Sequence, residues 1–286
     1  RIVLFLERPH IETTVWINHR EVGMRNSLCV PHVYDLTSYV TPGKSCLVTI
    51  RVDNRIKEIN VGPDSHSITD QTQGNWNGIV GKIELQSTPE VFFEDIQVYP
   101  DLAGKKALVR MNVRASSSAK GEIALSARSF NTNVNHEIAP VYQTVTVRKG
   151  DNPLEMELPM GQNFLTWDEF SPALYRLTAT LKNGKQIETK QVQFGMREFT
   201  INGKWFYVNG RKTMLRGTVE NCDFPLTGYA PMDVASWERV FRICRSYGLN
   251  HMRFHSFCPP EAAFIAADLV GFYLQPEGPS WPNHGP

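Results

Sequence analysis

The periodicity of this chain changes once, near Gly195, and that change limits the folds open to it. Before it, short runs of β-branched and aromatic residues follow one another with turn signals between them and almost no helical pattern. After it, strand-like runs alternate with helical ones. Consecutive strands joined by tight turns make antiparallel sheets, whereas strands separated by helices need crossovers and make a parallel sheet. One chain must therefore hold both kinds of sheet, and the expected class is multidomain and mainly β.

Residues 1 to about 88 read as part of a β-sandwich. Thr13-Thr-Val-Trp-Ile17 is a β-branched and aromatic run, and Asn18-His-Arg-Glu-Val22 is a turn and return. Cys46 to Asp53 alternates apolar and polar with period two, as a half-buried strand does, and Gly78 to Leu85 gives another strand. Between them lies a long polar segment from Asn60 to Asn77, of a length that in compact domains usually has a function or lacks order. Thr88-Pro89 marks a boundary. Residues 89–196 then carry seven strand patterns, at 92–98, 106–113, 121–129, 141–147, 154–158, 173–181 and 186–194. That count in that length predicts an immunoglobulin-like sandwich, without the Cys–Trp–Cys hallmark of antibody domains.

Residues 197–286 are different. Phe199 to Arg211 reads as a hairpin with turns at Asn202-Gly203 and Asn209-Gly210, and Thr213 to Gly217 as the first strand of a new sheet. Asp233 to Tyr247 places Trp237, Val240, Phe241, Cys244 and Tyr247 on one helical face, and Gly248 stops the helix. Leu249–Phe254 is the next strand, Pro259-Pro260 opens a second helix through Ala267, and Phe272–Gln275 is a third strand. This is the pattern of the first βα units of a (β/α)8 barrel, and the chain stops at Pro286, too soon to close one.

Barrels of this kind present polar groups at the C-terminal ends of their strands. Arg253 and His255 are two apart on one strand pattern, so the reading points both to one face, with His255 at the mouth. A planar guanidinium there can orient a carboxylate or a sugar hydroxyl; the plainer alternative is an ion pair with Glu277, which ends the third strand. Glu220, Asn221 and Asp223 follow the first strand, in a loop that contacts substrate or is simply solvated. Trp281 either stacks on an apolar ring face or packs inward.

Composition narrows the classes. A formal net charge of +1 gives no electrostatic case for nucleic acid, and no apolar run is long enough to span a bilayer as a helix. Five widely spaced cysteines without a CxxC pair predict neither a disulfide framework nor a metal site. Cys29 and Cys46 have a possible cross-sheet pairing, but free buried thiols are expected, Cys244 on its helix included. No nucleotide-binding loop is present, so no cofactor is expected. The chain opens on Arg1-Ile-Val-Leu-Phe-Leu, already a strand, with no initiator methionine, and is read as starting at a cut.

Three ordered stretches carry a resemblance to glycoside hydrolase family 2, the β-galactosidases, β-glucuronidases and β-mannosidases. Val15-Trp-Ile-Asn18 followed by Tyr34-Asp-Leu-Thr37 resembles the "VWVNG … FDLT" pattern of the family's N-terminal jelly-roll. Trp167 to Tyr175, with Phe194-Gly-Met-Arg197, resembles the end of its immunoglobulin-like domain. Phe206 to Gly217 and Arg253 to Glu277 resemble the start of its barrel. The resemblance covers essentially the whole chain. It implies a partial jelly-roll sandwich at 1–88, an immunoglobulin-like sandwich at 89–196 and a truncated barrel at 197–286.

It also implies a carbohydrate substrate and a retaining exo-glycosidase as the parent, exported to the periplasm or beyond. No catalytic residue falls inside the chain, because the family's acid/base and nucleophilic glutamates sit on later strands. Glu277 matches the family's third-strand acid, which is a supporting residue. The family's "R-x-S-H-Y-P" is Arg253-Phe-His-Ser-Phe-Cys-Pro here, so His255 and Ser256 both stand for the usual histidine. The long loop of the first domain approaches the sugar site in the family, which makes Asp70, Asn75 and Trp76 substrate candidates. An incomplete sheet is expected to be inactive alone and to self-associate. The competing reading is a non-catalytic carbohydrate-binding or spacer module, against which the βα stretch after residue 212 argues.

Overall fold

The structure is a computed structural model that describes residues 1–55 and 76–278. It divides into two compact units, one formed by 1–87, 216–267 and 273–286, the other by 88–215 and 268–272.

The first unit opens with β1 (Ile2–His10), β2 (Glu12–Ile17), β3 (Arg20–Asn26), β4 (His32–Asp35), β5 (Val48–Asp53) and β6 (Gly78–Ser87). Two antiparallel three-stranded sheets result, in the orders β4-β1-β6 and β3-β2-β5. Alternation puts Leu4 and Leu6 of β1, Val15 and Ile17 of β2, Tyr34 and Leu36 into one shared core. Polar groups trapped beside that core find partners. The Thr13 hydroxyl lies 2.6 Å from His32 Nδ1, and Tyr34 donates to the Thr13 carbonyl at 2.8 Å.

The second unit holds β7 (Val91–Asp101), β8 (Lys106–Ala115), β9 (Ala119–Phe130), β10 (Glu137–Val147), β11 (Gly150–Pro159), β12 (Leu174–Asn183) and β13 (Gln186–Phe194). All seven expected strands are present, several longer than their patterns. They form the sheets β10-β9-β12-β13 and β11-β8-β7, whose inner faces share a core including Val109, Val113, Ile123, Leu125, Leu177 and Leu181. Trp167 is buried beside it and donates its indole N–H to the Asp268 carbonyl at 2.7 Å. A Cβ at Gly195 would sit 2.7 Å from the Trp167 Cβ, so only glycine lets the chain pass that ring.

A meander follows, β14 (Phe199–Asn202), β15 (Trp205–Val208) and β16 (Arg211–Thr213). Its second turn is Asn209-Gly210 as expected, both with positive φ (52° and 75°), the geometry of a type I′ hairpin. Its first is displaced by one residue. Asn202 pairs with Trp205, which leaves Gly203 (φ 58°) and Lys204 in the loop. Thr213 to Gly217 is not one strand: β16 ends at Thr213 and residues 214–216 are a link, whose last amide, Arg216 N–H, is accepted by the Asn250 side chain at 2.7 Å.

The chain continues with β17 (Gly217–Glu220), α1 (Val234–Ser246), β18 (His251–Phe254), α2 (Glu261–Val270) and β19 (Tyr273–Gln275), whose three strands form a parallel sheet in the order β17-β18-β19. Asn250, fully buried, ties the strand starts together: its N–H donates to the Arg216 carbonyl at 2.9 Å, its side-chain oxygen accepts the Arg216 amide, and its carbonyl accepts the Tyr273 amide at 2.8 Å. Helix α1 starts where Asp233 accepts the Ser236 amide at 2.8 Å. It ends in a Schellman pair, Gly248 N–H to Arg245 and Leu249 N–H to Cys244, with Gly248 at φ 81°. Trp237 and Phe241 carry its buried face, Trp237 meeting Phe254 edge-on at 5.8 Å. Cys244 is only half-buried, and Tyr247, expected on the same stripe, is 81% exposed because the helix has already ended there. Among the thiols, Cys46 also departs from expectation: it lies in the exposed approach to β5, and neither it nor Cys29 is paired.

Candidate functional site

The ends of β17, β18 and β19 gather the polar residues. Glu220 is the last residue of β17, half-buried on the strand rather than in the loop after it. Asn221 and Asp223 follow, exposed, around a buried Cys222 with φ 60°. Strand β18 ends at Phe254, so His255 lies in the turn beyond it. The two-residue alternation that put His255 and Arg253 on one face therefore stops one residue short. The backbone turns there because Ser256 takes a left-handed conformation (φ 51°).

That turn serves Glu277. Arg253 grips the carboxylate with a fork, Nε to Oε1 at 2.6 Å and Nη2 to Oε2 at 3.1 Å. The Ser256 amide adds a third bond to Oε2 at 2.9 Å, and Glu277's own N–H donates to the Phe257 carbonyl at 3.1 Å. Partial burial works against the charge on Glu277. The Ser256 N–H, the Arg253 guanidinium and the nearby His255 outweigh it and hold the carboxyl below its ordinary value. Glu220 leans the other way. Burial pushes its carboxyl up, the Cys222 N–H at 2.9 Å offsets part of that, and Asp223 adds to the rise. The site thus holds one carboxyl held below its ordinary value and one pushed above it. Of the alternatives His255 and Ser256, the serine supplies the hydrogen bond, through its backbone.

Beneath the turn lies a residue the sequence patterns do not single out. Arg8 of β1 is 4% exposed. Its Nη2 donates to the Cys258 carbonyl at 2.5 Å, and its guanidinium lies 4.7 Å from the Phe257 ring centre and 5.3 Å from that of Trp76. Two aromatic faces compensate a buried cation that makes one direct hydrogen bond to protein among the described residues. Arg8 thereby fixes the 256–258 turn, which fixes the Ser256 amide, which holds Glu277. The charge of Arg8 suggests an outward residue, although two-residue alternation sets it on the face of Leu4 and Leu6. The available signal is its place between Leu6 and Pro9 on a strand whose flanks are buried.

Trp76 belongs to this lower layer. It is buried, donates its indole N–H to the Arg8 carbonyl at 3.1 Å and meets His10 edge-on at 4.7 Å, so its ring faces inward rather than offering a sugar platform. Asp70, Asn75 and Trp281 lie outside the described residues. Among the described residues no group of three His, Cys, Asp or Glu side chains is arranged to hold a metal ion. No helix among them is long and apolar enough to cross a membrane.

Residues 91–197, the strands of the second unit, match the family model described as glycosyl hydrolases family 2. The chain is 27% identical over 267 residues to a β-galactosidase of Priestia megaterium, covering 91% of this chain and 25% of that protein. It is 22% identical over 296 residues to a β-glucuronidase of Paenibacillus borealis, covering 98% of this chain and 47% of that one. Among solved structures, Bacteroides uniformis β-glucuronidase superposes with a TM-score of 0.80 at 19% identity, over 98% of this chain and 34% of its own. The chain thus spans about a quarter to a half of the curated relatives cited here.

Proposed function

We propose, for a chain that belongs to glycosyl hydrolase family 2 through residues 91–197, that it is part of a retaining exo-glycosidase and supplies the rim of its sugar site rather than the reacting pair. In this reading residues 1–88 are a partial jelly-roll, 89–196 an immunoglobulin-like sandwich, and 197–286 the opening of a (β/α)8 barrel. The ligand is a carbohydrate, and export to the periplasm or outside the cell follows from the same resemblance.

The observation that carries the reading is the engagement of Glu277. A nucleophile needs a free lone pair aimed at the anomeric carbon, whereas three of the about four lone-pair sites of the Glu277 carboxylate already accept bonds from Arg253 and Ser256, which suits it to a held, orienting role. Glu220 does not complete a pair with it. Glu220 ends β17 and Glu277 lies two residues beyond the end of β19, and with β18 between them those two strands run about 10 Å apart. Retention requires carboxyl groups about 5–5.5 Å apart. Glu277 and Arg253 are better suited to orienting a hydroxyl or another carboxylate at the strand ends, with His255, Glu220, Asn221 and Asp223 around them. Asp70, Asn75 and Trp281 complete the proposed rim, while Trp76 supports it from below.

The chain alone is expected to show no turnover of a panel of aryl β-glycosides. Hydrolysis that disappears in Glu277→Gln or Glu220→Gln would overturn this assignment and move the chemistry into these strands.

A further inference from the structure

On the outer face of the four-stranded sheet, cross-strand pairing sets two guanidinium groups side by side. Arg128 of β9 stands directly opposite Arg176 of β12, in a row that runs from Glu137 of β10 to Gln193 of β13. Like charges facing each other across a ladder weaken a sheet, so this row carries a cost that folding does not require. Glu137 relieves Arg128, 3.3 Å from its Nε. Arg176 has no carboxylate in ion-pair range among the described residues, and its guanidinium lies over the Phe130 ring, 4.8 Å from the centre. One of the two cations has a carboxylate partner, and the other lies over an aromatic ring.

This pair borders a groove of about 530 Å³, within the size range of small-ligand sites. Asn133, Thr178 and Gln191 also line it. Amide and hydroxyl groups both donate and accept, which suits sugar hydroxyls, whereas an arginine fork suits a planar or tetrahedral oxyanion.

We propose that this groove is a second saccharide site, one that takes an anionic unit. The carboxylate or sulfate group of that unit bridges Arg176 and Arg128, and its hydroxyls meet Asn133, Thr178 and Gln191. The stack on Phe130 holds Arg176 ready, which lowers the ordering cost of binding. The choice of a saccharide rests on the glycosidase reading; the site itself does not. Binding here can fail while hydrolysis by the intact enzyme stands, and the reverse.

The test is calorimetric titration of the chain with trigalacturonate, a 6-sulfated chondroitin disaccharide, cellotriose and inorganic sulfate. At least one anionic saccharide should bind, more tightly than cellotriose and sulfate, and the better of the two identifies the anion. Arg176→Gln should weaken that binding about tenfold or more, the loss expected for a charge-assisted fork. Arg176→Lys should recover part of it, and Arg114→Gln on the other sheet should change nothing. Arg176→Gln removes a repulsion, so its thermal midpoint should not fall; if it does, Arg128→Gln tests the same pair. Failure of both anionic saccharides to bind would overturn the proposal. So would cellotriose or sulfate binding as tightly, or affinity indifferent to both arginine substitutions.

Discussion

Three N–H groups converge on the Glu277 carboxylate, two from Arg253 and one from the Ser256 backbone. Their combined effect exceeds the opposing one of partial burial, so the folded carboxyl titrates below its ordinary value of 4.5. The sign of the stability consequence follows. With the folded pKa below the unfolded one, the interaction is fully present above the unfolded value and is lost as pH falls through the folded value. Arg253→Met removes two of the three donors and leaves the Ser256 amide. The Glu277 carboxyl signal, followed by NMR, should then titrate at higher pH than in the parent chain. Acid unfolding of Arg253→Met should correspondingly depend less steeply on pH below about 4.5. An unchanged Glu277 titration in the variant would show that Arg253 does not hold the charge. Since the pair is partly exposed, most of its value lies in orientation rather than in net stability.

Helix α1 shows what local pattern settles and what it does not. Its start depends on Asp233, whose carboxylate takes the Ser236 amide and hydroxyl, both at 2.8 Å. Asp233→Ala should cost about 1 kcal/mol in chemical denaturation, the usual worth of an acidic N-cap, while Asp233→Asn should keep most of it. Equal loss in both would mean that the charge rather than the cap matters. This helix was legible to within a residue at either end because cap, stripe and stop glycine all lie within its own span. The strands of the second unit were legible for the same reason, each carrying its own alternation. The meander shows the limit: of its two Asn-Gly turns one is where the pair stands and the other is shifted by one, since strand register is set by partners rather than by the dipeptide. The site was legible in part. Arg253 and Glu277 were readable as an ion pair from their places at strand ends. Arg8 was not, because its partner carbonyl at Cys258 is 250 residues away and no periodicity spans that distance. The inward ring of Trp76 was hidden for the same reason, since Arg8 and His10 decide it.

At the scale of the whole molecule, the parallel sheet is the part whose surfaces do not match its chemistry. Parallel sheets are ordinarily covered on both faces and rarely leave an edge in water. Here β17 and β19 each pair on one side only, among the described residues. Val219 on β17 is 52% exposed, Ile243 on α1 48% and Leu226 in the loop between them 98%. Open backbone edges beside exposed apolar side chains attract further copies of the same surface. The chain should therefore self-associate, with a weight-average mass in sedimentation velocity that rises across about 1–100 μM, the range in which such surfaces meet. The association should persist in high salt, because it rests on apolar contact and backbone pairing rather than on charge. Val219→Lys places a charge on the edge strand and should move the population toward monomer. Ile187→Lys, on the exposed edge strand β13 of the other unit, should leave the distribution unchanged. A concentration-independent monomer would refute the expectation. If Ile187→Lys alone restored monomer, the sticky edge would belong to the antiparallel sheet instead.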